Sequence, residues 1–119
     1  MRNFTISTLV AARAWKRPML LREHILLHID AQLTDPELSA NTIATALQIS
    51  VRWLHRIFAT EGVTVGQHIR RERVAIARRR LRDGFPPHAL ADLAVNVGFS
   101  HRAALVRALS DDRERYDGT

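Results

Sequence analysis

One short pattern occurs twice in this chain, and it restricts the fold more than any other feature. Thr42–Ser50 reads TIATALQIS and Asp92–Ser100 reads DLAVNVGFS. At a constant offset of 50 residues, Ile43 matches Leu93, Ala44 matches Ala94, Leu47 matches Val97, Ile49 matches Phe99 and Ser50 matches Ser100. The apolar positions share one side of a helix. A repeated alanine fits two helices that cross at a steep angle, where only a small side chain has room. Gly98 stands in the turn of the second copy, where a left-handed backbone is easily adopted. Gln48 occupies that place in the first copy and is less comfortable there.

The flanking residues extend each copy into a pair of helices. Ser39 is a suitable N-cap for the first helix and Ser50 for the next. Trp53, Leu54, Ile57 and Phe58 form an apolar stripe, leaving Val51, Arg52, His55 and Arg56 on other faces. The outline is a helix-turn-helix. Upstream, Pro18 suits a first helical turn. Leu21, Ile25, Ile29 and Leu33 keep one apolar face, and Thr34-Asp35-Pro36 ends it. His24 and His28 are spaced as a metal pair would be, but no nearby acid or cysteine completes a set.

Gly62 suits a helix end, and Val65–Arg82 follows as a long helix. Its interior face is assigned to Val65, Ile69, Ala75, Ile76, Ala77 and Leu81, with Arg70, Arg71, Arg78, Arg79 and Arg82 over much of the rest. A turn at 83–87 carries Phe85 back onto the core. His88–Val97 is helical, and Ser100 caps a last helix over His101–Leu109. The reading is all-α: two helix-turn-helix subdomains joined by a long linker helix, a homeodomain-like bundle. Its boundaries are a tail or short helix at 1–16, a first unit at 17–64, the linker helix at 65–83, a second unit at 84–109 and a disordered tail at 110–119, where apolar residues are nearly absent.

Charge narrows the partners. The net charge is +6, and the 18 basic residues are all arginine except Lys16. Between Ser50 and Arg82 stand nine arginines against Glu61 and Glu72. A basic field of this density suits a polyanion. The absence of cysteine excludes disulfides and thiolate metal sites and agrees with a cytoplasmic, nucleoid-associated location. No paired carboxylates in an apolar setting, Ser/His/Asp set or Gly-rich phosphate loop is present, so the chain is read as a non-enzyme without cofactor or metal. No apolar run reaches the ~20 residues needed to cross a bilayer.

The motifs together resemble the DNA-binding domain of the AraC/XylS family of bacterial transcription regulators. The residues that carry the likeness are Ile43-Ala44, Ser50-x-Arg52-x-Leu54-x-Arg56-x-Phe58, Ile69-Arg70, Arg73-Val74-x-x-Ala77, Leu93-Ala94 and Val97-Gly98-Phe99-Ser100. The resemblance implies that each unit lays its second helix in a major groove of double-stranded DNA, at sites about one turn or ~34 Å apart. It assigns DNA contacts to Ser50, Val51, Arg52, His55 and Arg56, to Ser100, His101, Arg102, Ala103 and Arg107, and to Arg70 and Arg71 of the linker. Trp53, Leu54, Ile57, Phe58, Phe99 and Leu105 are expected in the core. Leu105 and Leu109 replace the phenylalanines usual in the family, and the acidic Ser110-Asp111-Asp112 replaces a basic stretch. These departures point to an altered or truncated C-terminus, and they allow an alternative: a partly folded remnant that binds nucleic acid weakly or meets another protein. The family's upstream sensor domain has no counterpart here, no effector pocket is evident, and the expected state is a monomer. RNA polymerase is a further candidate partner.

Overall fold

The computed structural model describes the backbone of residues 18–117 and the side chains of residues 20–113. The segment at 1–16 lies outside the described residues. Six helices follow in order, with no strand among the described residues: α1 (Pro18–Gln32), α2 (Ala40–Leu47), α3 (Val51–Phe58), α4 (Val65–Arg82), α5 (Leu90–Asn96) and α6 (Arg102–Asp117). Short 3₁₀ turns at Ala59–Glu61 and Pro87–Ala89 lead out of α3 and into α5. Contacts divide the chain into two compact units, α1 with Glu37–Gln67, and Leu33–Pro36 with the chain from His68 onward.

Hydroxyl caps set the helix starts of the first unit. Ser39 Oγ accepts from the Thr42 amide at 3.3 Å and Thr42 Oγ1 accepts from the Ser39 amide at 2.9 Å. Thr64 and Gln67 make the same reciprocal pair at the start of α4, at 3.1 and 2.9 Å. Each box satisfies two amides that a helix N-terminus would otherwise leave open. The buried residues are Leu21, Ile25 and Ile29 of α1, Leu38 of the following loop, Ile43, Ala44 and Leu47 of α2, and Leu54, Ile57 and Phe58 of α3, together with Val65. The three helices contact one another pairwise. Arg22 of α1 pairs with Glu61 at 2.6 Å. His28 is half-buried, and that burial pushes its imidazole below the ordinary value.

The second unit closes on Val74 and Ala77 of α4, Leu93, Ala94 and Val97 around α5, Phe99, and Leu105 and Ala108 of α6. Phe85 packs against this cluster from the turn, as the sequence suggested. Two sequence expectations need correction. Ala75 is exposed, because the buried row of α4 runs Val65, Ile69, Arg73, Ala77 at four-residue spacing. An arginine therefore fills an interior place. Arg73 Nε donates to the Leu33 carbonyl at 2.8 Å, its Nη2 donates to the Asp35 carbonyl at 2.7 Å, and its guanidinium lies 6.0 Å from the Phe99 ring centre.

The second correction concerns the tail. Residues 110–117 are helical, continuing α6 to Asp117, rather than disordered. The acidic residues that made this stretch look unfolded are paired with arginines of α4. Asp111 accepts from Arg70, and Asp112 accepts from Arg78 Nε at 3.0 Å. Arg78 Nη2 also donates to the Leu109 carbonyl at 3.1 Å.

Candidate nucleic-acid interface

Each unit ends its first short helix in the same way. In the first, the Ile49 amide donates to the Ala44 carbonyl at 3.0 Å across Gln48, whose φ is +57°. In the second, the Phe99 amide donates to the Ala94 carbonyl at 2.9 Å across Gly98, whose φ is +104°. A left-handed residue followed by this long backbone bond satisfies the last carbonyls and turns the chain sharply. The matched alanines thus serve twice, as small buried side chains and as acceptors of the turn.

The two turns then part by one residue. Ser50 caps α3, its Oγ accepting from the Trp53 amide at 2.9 Å. Ser100 makes no such bond. His101 is the cap of α6 instead, its Nδ1 accepting from the Ala104 amide at 3.2 Å. The second turn is therefore longer by Ser100, and the offset between the units becomes 51 residues in the second helices. Burial agrees with that register: Leu54 pairs with Leu105 and Ile57 with Ala108, all buried.

The corrected register changes the exposed set. In α3, Arg52, His55 and Arg56 are exposed and Val51 is half-buried beside them. The equivalent positions of α6 are Arg102, Ala103, Val106 and Arg107, all exposed. Arg102, Ala103 and Arg107 are among the residues that the resemblance assigned to DNA contact. His101, also exposed, stands at the place of Ser50 and is engaged in the cap. Val106, 37% exposed, takes the place of His55 and was missed. The signal that would have found it is the missing cap at Ser100, which only hydrogen-bond geometry reveals.

Trp53 also departs from expectation. It is half-buried at the edge of the first unit's core, and the guanidinium of Arg56 sits 5.9 Å from its ring centre. Stacking of this kind holds an arginine in a limited range of orientations. The indole Nε1 is buried without a hydrogen-bond partner. Of the two linker arginines, Arg71 is exposed, whereas Arg70 is turned toward Asp111. Elsewhere no helix among the described residues is long and apolar enough to cross a membrane, and no group of histidines and acids there has metal-binding geometry.

A family model described as a helix-turn-helix domain matches residues 43–111, more than half of the chain, from the first short helix to the middle of the last. The chain belongs to the AraC-type helix-turn-helix family. It is thus a DNA-binding domain of the transcription-regulator class. Neither the curated proteins nor the solved structures contain a significant match. The AraC-type match includes Ser100, Val106 and Asp111, so α3, the longer second turn and the first part of α6 fall inside the family region.

Proposed function

We propose that this AraC-type chain is a sequence-specific regulator that reads two segments of double-stranded DNA, α3 entering one major groove and α6 the next. The observation that carries this reading is the equivalence of two surface sets, half-buried Val51 with exposed Arg52, His55 and Arg56 after the Ser50 cap, and exposed Arg102, Ala103, Val106 and Arg107 after the His101 cap. Each set offers two guanidinium forks with the geometry to pair with guanine O6 and N7. Val106 and Val51 offer apolar contact to a thymine methyl. Arg71 supplies a phosphate contact from the linker. One chain holds both reading helices, so a single copy suffices for a two-part site.

The partly folded alternative finds less support. The apolar cluster of the second unit is closed, and α6 continues past the family region with ion pairs along it.

Arginine substitutions test the reading unit by unit. Arg56→Ala is expected to relax discrimination at one or two base pairs of one block by about 1–3 kcal/mol. Arg107→Ala does the same in the other block. Competition binding against single-base variants of a preferred site, at fixed salt, measures both. A loss spread evenly over all sequences would reassign either arginine to phosphate contact and remove it from base reading.

A further inference from the structure

We infer that Asp111 and Asp112 are specificity determinants of the DNA-binding function proposed above, on which this inference rests: they withhold linker-helix arginines from phosphate. The observation is that the most basic helix of the chain has two guanidiniums already occupied by carboxylates of the same unit. Arg70 pairs with Asp111, and Arg78 pairs with Asp112 while also bonding the Leu109 carbonyl. The side chains of Arg70 and Arg78 remain 42% and 40% exposed, so both are within reach of an external anion. Carboxylate and phosphate present the same paired oxygens to a guanidinium, and one excludes the other.

The consequence follows from how DNA affinity divides. Phosphate contacts supply nearly all of non-specific binding and carry no sequence information. Base contacts supply discrimination. Biological specificity is the ratio of the two affinities, set against a large excess of wrong sites. A chain this rich in arginine, with nine between Ser50 and Arg82, is at risk of binding any duplex. The Arg70–Asp111 pair, exposed on both sides, adds little to stability. Holding two arginines back lowers the non-specific affinity while leaving the reading helices α3 and α6 untouched.

The test compares Asp111→Asn/Asp112→Asn with Asp92→Asn in the full chain. Asp92 is an exposed acid of α5 in the same unit. Binding to a mixed-sequence duplex is followed as salt is raised. The double variant should bind several-fold more tightly than wild type, with the log–log salt slope steeper by about 0.9 for each arginine released. Its preference for a selected site over mixed sequence should fall. Asp92→Asn should leave the slope unchanged. Introducing Arg70→Ala/Arg78→Ala into the double variant should remove the gain. The inference is overturned if the double variant shows no steeper slope, if Asp92→Asn gives the same change, or if the gain survives loss of both arginines. Wild type that fails to hold duplex even at low salt would overturn the DNA-binding reading and this inference with it. Wild type that binds with a slope the double variant shares overturns this inference alone.

Discussion

Gly98→Ala is expected to destabilise the second unit by about 3 kcal/mol or more, a loss large for one methyl group. Two independent costs add. The backbone at Gly98 has φ +104°, a positive-φ conformation that residues with a Cβ rarely adopt. A Cβ there would also stand 2.5 Å from Arg73 Nε, 2.7 Å from the Leu33 carbonyl oxygen and 2.9 Å from Arg73 Cζ. Neither neighbour can withdraw cheaply, because the arginine is bonded to that same carbonyl. Gly84 provides the control. Its φ is also +104°, yet a Cβ there would meet nothing within 4 Å. Urea or thermal unfolding of the two variants should show Gly84→Ala losing only the backbone part, about 1–2 kcal/mol. Equal losses would show that the contact with Arg73 is unimportant.

Arg73→Met should cost about 2–4 kcal/mol, although methionine keeps much of the stem and all of the apolar character. The Leu33 carbonyl is left buried without its donor, and the Asp35 carbonyl partly so. Burial lowers the Arg73 pKa, and the nearby Asp35 charge acts in the opposite direction. A guanidinium so placed still stays protonated and keeps its hydrogen bonds at any ordinary pH. The two predictions are coupled. Two of the three atoms that crowd a Cβ at position 98 belong to Arg73. Gly98→Ala should therefore cost clearly less in an Arg73→Met background than alone, and a double-mutant cycle measures the difference. Strict additivity would place the crowding elsewhere.

Arg73 also shows where sequence reading stops. Helix order and the two left-handed turns were legible because each rests on local chemistry: caps, small residues at crossings and apolar spacing. The place of Arg73 in the buried row with Val65, Ile69 and Ala77 was not, since an arginine signals surface until its carbonyl partners at Leu33 and Asp35 are seen. Ser100 misled for a related reason. It aligns with Ser50 by offset, but the cap passes to His101, and Val106 joins the exposed face of α6. A repeat predicts that two helices exist; it does not predict a one-residue insertion between them. Asp111 and Asp112 read as the start of disorder because their partners lie far away in sequence, at Arg70 and Arg78.

The central claim is that α3 and α6 both read bases, and selection from a pool of random duplexes at near-physiological salt tests it most directly. Sequencing the retained duplexes should reveal two short blocks whose centres lie about ten base pairs apart, one turn of the double helix. Arg56→Ala should blur one block and Arg107→Ala the other. No enrichment, with retention that disappears as salt rises, would contradict the claim and leave only a basic surface that holds any polyanion.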